Sequence, residues 1–141
     1  TGGRLTAFVA GMGTTGTLMG CSMFFKEKKP SVKIIGVEPN RNHRIQGLKN
    51  MEEAIVPKIY DPSRLDGIIH CSDDDAFDTT RDLSVQEGLF CGMSSGAAMW
   101  GAMQAAKELR RGSTVVVILP DRGDRYLSTE VFRSICASCP P

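Results

Sequence analysis

Four short apolar runs, "LTAFVA" (5–10), "VKIIGVE" (32–38), "GIIHC" (67–71) and "TVVVILP" (114–120), punctuate the chain, with helix-like segments between them. They are apolar at successive rather than alternate positions, the pattern of strands buried on both faces. Strands that alternate with helices make a parallel sheet flanked by helices, so the pattern predicts a three-layer α/β fold. The helices are expected at about 15–28, at 72–87 and at 94–110. Ser72 caps the second, and the acids of "SDDD" favour its dipole. The acidic triplet is thus a helix start, with no need for a metal. Ala97, Ala98, Gly101, Ala102 and Ala105 give the third helix a small-residue face for close packing. "KEKK" at 26–29, followed by Pro30, reads as a helix end.

Composition narrows the function classes. Of 141 residues, 41% are hydrophobic and 23% charged, as in ordinary globular domains. Seventeen basic and sixteen acidic residues balance to a net charge of +1, and the basic ones are scattered, so no nucleic-acid footprint is present. No run approaches a membrane span and no secretory signal opens the chain, which makes a cytoplasmic protein the expectation. Five cysteines are an odd number. Cys21, Cys71 and Cys91 lie in apolar surroundings, where free cysteine acts as a small hydrophobe. "CASC" at 136–139 has neither a second pair nor a strand-helix setting, so residues 135–141 read as a flexible tail.

Between the first strand and the first helix stands "GMGTTG" (11–16), a G-x-G-x-x-G pattern. Its glycines let backbone approach a phosphate, and the following helix start supplies free N–H groups and a positive dipole end. A dinucleotide-binding dehydrogenase domain would place a ribose-binding acid near the end of the next strand, where Glu38 lies. The hydroxyls of Thr14, Thr15 and Thr17 instead suit a terminal phosphate monoester, whose charged oxygens take many hydrogen bonds. No Gly-Lys-Ser/Thr ending follows, which argues against a nucleoside triphosphate loop. "GLFCGMSSGAA" (88–98) reads as a short strand, a turn and a second helix start, and "ILPDRGDRYLST" (118–129) follows the last strand. All three turns fall on the carboxyl edge of the sheet, where α/β folds bind ligands. The irregular stretch 39–66 is of a length that is usually functional.

Together these segments resemble the cysteine synthase family of pyridoxal-phosphate enzymes, of the tryptophan-synthase-like fold, along nearly the whole chain. "GMGTTGTLMG" resembles the family's phosphate loop, "NHRIQGL" its loop at the active-site mouth, "GLFCGMSSGAA" its Gly-Ile-Ser-Ser-Gly turn and "ILPDRGDRYLST" its C-terminal signature. Thr15 in place of the usual central glycine, and aspartates where other members carry serine and glutamate, resemble the type-B branch.

The resemblance implies that Gly13, Thr14, Thr15, Gly16 and Thr17 cradle the phosphate of pyridoxal 5'-phosphate, and that Asp121 faces its ring nitrogen. Gln46, Gly47, Lys49 and Ser94 are implied for substrate, with Lys49 the cation best placed to meet an anionic leaving group. The implied reaction is β-replacement on O-acetylserine or O-phosphoserine by a sulfur nucleophile, giving cysteine. A cystathionine β-synthase-like lyase is the alternative on the same fold. A homodimer is expected, with serine acetyltransferase or a sulfur-carrier protein as possible partners. None of the seven lysines lies in the family's lysine motif, which belongs to an N-terminal half. Residues 1–134 are thus expected to be the C-terminal part of a cofactor-binding large domain, inactive alone.

Overall fold

The computed structural model describes residues 1–132; the expected tail and "CASC" lie outside them. Strand β1 (Leu5–Gly11) leads into helix α1 (Gly16–Lys28) and strand β2 (Lys33–Pro39). A long connection containing one 3-10 turn (Pro62–Arg64) then reaches strand β3 (Gly67–Cys71). Helices α2 (Asp73–Glu87) and α3 (Met93–Lys107) follow, then strand β4 (Thr114–Val117) and a second 3-10 turn (Gly123–Tyr126). The strands pair in the order β3-β2-β1-β4, all in parallel.

Successive side chains of β1 and β2 alternate between two separate cores, which is why these strands are apolar at almost every position. Phe8, Ala10 and Ile34 pack with Leu18 and Met19 of α1. Ala7, Val9, Ile35 and Val37 pack with Phe77 of α2 and with Ala97, Ala102 and Ala105 of α3. Three layers result, as expected. The small-residue face of α3 sets how near its neighbours come: a Cβ on Gly101 would stand 2.3 Å from Val37 Cγ2, and one on Gly96 would stand 2.0 Å from Thr80 Oγ1.

Several boundaries differ from the sequence expectation for identifiable reasons. The last strand stops at Val117 rather than 120; Ile118 N–H still donates to Val9 O at 3.2 Å, after which Leu119 and Pro120 leave the sheet. Residues 88–91 form no strand, only a single antiparallel bridge between Cys91 and Arg122. Gly88 in the left-handed region ends α2 and Gly92 caps α3, leaving too few residues between them. The third helix ends at Lys107 rather than 110, where Glu108 and Leu109 N–H groups turn to the tighter 3-10 pattern. The Ser72 cap forms as expected, its hydroxyl accepting from Asp75 N–H at 3.1 Å. Cys71 and Cys91 are buried and Cys21 half-buried, all as free thiols.

Candidate active site

Strand β1 lies at the switch point of the sheet: the chain leaves it toward β2 on one side, while β4 pairs on the other. Ligand crevices in open α/β sheets open at the carboxyl ends of strands at such a point. The loop after β1 holds Gly13, Thr14 and Thr15, and the segment after β4 carries Asp121. The start of α3 faces both.

A continuous set of contacts joins the three segments. A Cβ on Gly13 would fall 2.5 Å from Gly47 O, so the phosphate loop and the mouth loop touch backbone to backbone. Lys49 N–H donates to Met12 O at 2.7 Å, fastening the far side of the same contact. Gly47, at φ +91°, packs on Ser94 of α3, with its Cβ position 3.5 Å from that side chain. Ser95 N–H donates to Asp121 Oδ1 at 3.1 Å, the Ser95 hydroxyl donates to the same oxygen, and Gly92 N–H donates to Asp121 O at 3.3 Å. Gly13, Gly47, Ser94 and Asp121, nominated from four separate motifs, are thereby drawn into one place. Ile45 and Leu48 are buried on either side of the exposed Gln46 and Gly47 and hold that tip in position.

Two buried polar atoms at this site lack partners among the described residues: Thr15 Oγ1 and Asp121 Oδ2. Thr15 is only 3% exposed, stands at φ 61° and caps α1 without a side-chain hydrogen bond. A β-branched residue in the left-handed region is strained, and such strain collects at binding sites. Thr14, Gly16 and Thr17 are exposed around it. The arrangement offers a buried hydroxyl, two exposed ones and an uncapped helix start, which is the donor set an anionic phosphate takes.

At the other end of the site, Asp121 Oδ1 is held by Ser95 while Oδ2 is left over, and a buried carboxylate oxygen calls for a charged donor. Oδ2 makes no hydrogen bond of normal geometry, but the Tyr126 hydroxyl lies close to the carboxylate: burial, and next a hydrogen-bonding interaction with Asp121, push the Tyr126 phenol above its usual range. Burial and Asp121 act in the same order on the Cys91 thiol. A protonated ring nitrogen would meet the need of Oδ2, so these residues fit pyridoxal phosphate at both its phosphate and its ring.

Glu38 does not fit a ribose. It is 6% exposed, accepts from Met51 N–H at 2.5 Å and lies 3.5 Å from His70 Nδ1, and so is spent on bracing the long connection. Ser94 lies in the first turn of α3, which starts one residue earlier than the expected 94. Sequence reasoning missed Ser95, the residue that orients Asp121; the doubled hydroxyl of "GMSSG" was the available signal. It also missed Met93, whose Sδ accepts from Gln46 N–H at 3.0 Å, a contact with no signal in sequence. Of the lysines, Lys26, Lys28, Lys29, Lys33 and Lys107 lie at the opposite edge of the sheet, beside strand starts or helix ends; Lys49 borders the loop through its N–H on Met12 O, and Lys58 adjoins Ile59, whose Cδ1 lies 4.0 Å from the Gly16 Cβ position.

Known proteins share this sequence pattern and fold. Cysteine synthase B of Pseudomonas aeruginosa is 45% identical over 132 residues, covering 94% of this chain and 44% of that protein. The solved O-acetyl serine sulfhydrylase isoform 3 of Entamoeba histolytica superposes with a TM-score of 0.87 at 35% identity, over 95% of this chain and 42% of that one. The O-acetylserine dependent cystathionine beta-synthase of Helicobacter pylori gives 0.82 at 39% identity, over 92% and 44%. The chain thus spans less than half the length of these relatives. The pattern described as "Pyridoxal-phosphate dependent enzyme" matches residues 1–121, taking in the phosphate loop, the mouth loop, the start of α3 and Asp121. With its donor set matched to that cofactor at both ends, the chain belongs to the family of pyridoxal-phosphate-dependent enzymes.

Proposed function

We propose that this chain is the C-terminal part of the cofactor-binding domain of a cysteine synthase, which replaces the leaving group of an activated serine by a sulfur nucleophile. The observation that carries the reading is the pair of unpartnered buried atoms, Thr15 Oγ1 and Asp121 Oδ2, on loops that the Gly13–Gly47–Ser94 contacts bring together. Similarity to cysteine synthases at 45% identity supports it. Pyridoxal phosphate, when bound, supplies the electron sink for loss of the leaving group and addition of sulfur at the serine β-carbon.

The chain's own residues supply the holding and the orientation. Thr14, Thr15 and Thr17 hydroxyls, with the N–H groups of the first turn of α1, bind phosphate oxygens. Ser95 fixes Asp121 through Oδ1, so that Oδ2 holds the proton of the ring nitrogen. Gln46, Gly47 and Ser94 form the substrate side, and Lys49 meets an anionic leaving group such as phosphate. The lysine that carries the cofactor covalently is read as lying outside residues 1–141, because none of the seven lysines here stands in a segment resembling the family's lysine motif and five of them lie at the opposite edge of the sheet. The complete enzyme works in the cytoplasm as a homodimer, with serine acetyltransferase or a sulfur-carrier protein as candidate partners.

The test is to replace Thr14 and Thr17 together by Ala and titrate the protein with pyridoxal phosphate. Two lost hydrogen bonds to a charged group weaken binding by about 3–6 kcal/mol. Unchanged affinity would remove this loop from the cofactor site. Borohydride reduction followed by peptide mapping is expected to label none of the lysines.

A further inference from the structure

Beside the mouth loop, sharing Gln46 with the substrate side, lies a cavity of 210 Å³ that none of the residues assigned to the cofactor lines. Arg44, Gln46, Phe77, Met93, Thr129 and Glu130 are among the residues around it. Across it the Arg44 guanidinium pairs with the Glu130 carboxylate. Both side chains are more than half exposed, and a pair of that kind contributes only about 0–1 kcal/mol, so it opens readily.

Each charge also has its own support, independent of the other. Arg44 Nε donates to Asp73 Oδ2 at 3.0 Å, its backbone N–H donates to the same carboxylate, and its guanidinium stacks 5.6 Å above the Phe77 ring. Glu130 sits on backbone held by Arg81, whose Nε donates to Val131 O at 2.8 Å and whose Nη2 donates to Glu130 O at 3.3 Å. With the direct pair opened, a fixed cation would remain on one side of a small cavity, and on the other an anion whose backbone is anchored and whose carboxylate is free to reach a ligand. Phe77 and Met93 give that cavity an apolar, sulfur-tolerant wall. Its volume is several times that of a water and below the range for larger ligands.

We propose that this cavity binds a small zwitterionic amino acid, its carboxylate on Arg44, its ammonium on Glu130 and a sulfur-bearing side chain against Phe77 and Met93. The backbone bond from Gln46 to Met93 places the cavity one residue from the Gly47–Ser94 contact. The role of the occupant rests on the sulfur-transfer reading. It is either the cysteine that leaves or, in the cystathionine β-synthase-like alternative, an amino-acid thiol that adds whole and ends as a thioether. In the thiol case a C–S bond forms at the serine β-carbon, the C–O bond to the leaving carboxylate or phosphate breaks, the thiol proton passes to solvent, and the product is a thioether amino acid rather than cysteine.

The experiment is calorimetric titration of the purified protein, without pyridoxal phosphate, with L-cysteine, L-homocysteine, L-cysteine methyl ester and N-acetyl-L-cysteine. The free amino acids should bind at least about tenfold tighter than either blocked form, since each block removes one charge-assisted contact. Arg44→Gln should erase the discrimination against the ester, and Glu130→Gln the discrimination against the N-acetyl form, in variants whose circular dichroism is unchanged. Tighter binding of homocysteine identifies the thiol that adds and of cysteine the product, and either supports the site. No binding of any probe to folded protein, or equal binding of free and blocked forms, overturns it. Because cofactor is left out, binding here in a protein that fails to bind pyridoxal phosphate would support the cavity while refuting the sulfur-transfer reading, and the reverse result would refute the cavity alone.

Discussion

Thr15 gives the sharpest prediction, because stability and binding should respond to the same substitution with opposite sign. In the ligand-free protein its hydroxyl is buried with no described partner, and its backbone stands at φ 61°. An unsatisfied buried hydroxyl costs about 1–3 kcal/mol. Thr15→Ala removes that cost and loses about 0.8 kcal/mol of methyl burial, so the ligand-free protein should be more stable by roughly 0–2 kcal/mol. Thr15→Gly also relieves the left-handed backbone, worth about 1–2 kcal/mol, against about 0.5–1 kcal/mol for the entropy of glycine. It should therefore equal or exceed the alanine variant in stability. Phosphate affinity moves the other way: one hydrogen bond to a charged group is worth about 1.5–3 kcal/mol, roughly a tenfold to hundredfold loss. Urea unfolding without ligand and titration with inorganic phosphate or pyridoxal phosphate read the two effects. An alanine variant destabilised by more than about 1 kcal/mol in the absence of ligand would show that the hydroxyl has a partner, and would refute the reasoning.

Gly96→Ala places a methyl 2.3 Å from Ala76 O, which as helix backbone cannot swing aside, so urea unfolding should show a loss of about 1–3 kcal/mol or more. Lys49→Ala should lower kcat/KM of the complete enzyme for O-phosphoserine far more than for O-acetylserine; equal losses would take Lys49 out of the leaving-group site. Burial pushes the Cys71 thiol from 9.0 up to about 12. The unfolded thiol therefore loses its proton first as pH rises, so stability from this group is complete below about pH 9 and falls between there and about pH 12. Cys71→Ala should flatten that part of a stability profile, and Ellman's reagent should not modify Cys71 at neutral pH unless the chain unfolds.

What could be read from the sequence was what depends on local pattern. The doubly buried strands announced themselves because β1 and β2 must satisfy a core on each face, and Ser72 with its aspartates marked a helix start by capping chemistry alone. The phosphate loop was visible because glycines and threonines crowded between a strand and a helix supply the close backbone approach and the donors that an anion needs. The failures are places where distant residues decide. Whether residues 88–91 extend as a strand depends on Gly88 ending one helix and Gly92 beginning the next, and the Cys91–Arg122 bridge needs a segment about thirty residues on. Glu38 met the spacing of a ribose ligand, but its fate was settled by Met51 and His70, which only folding brings to it. Ser94 and Ser95 are indistinguishable in "SS"; helix rotation turns one toward Gly47 and the other toward Asp121.

The first turn of α3 carries two duties within a few residues. Ser94 and Ser95 face the ligand crevice, while Gly96 is wedged against α2 so closely that no side chain fits. A mutation on the face of α2 that meets α3, at Thr80, therefore reaches Asp121 through a single helical turn, and changes at Thr80 and Gly96 should be non-additive. Substitutions in this part of the fold are correspondingly constrained. Residues 52–59, mostly exposed beyond the buried anchors Ile45, Leu48 and Asn50, have the most room to change without disturbing packing, and a laboratory search for altered substrate preference should begin there.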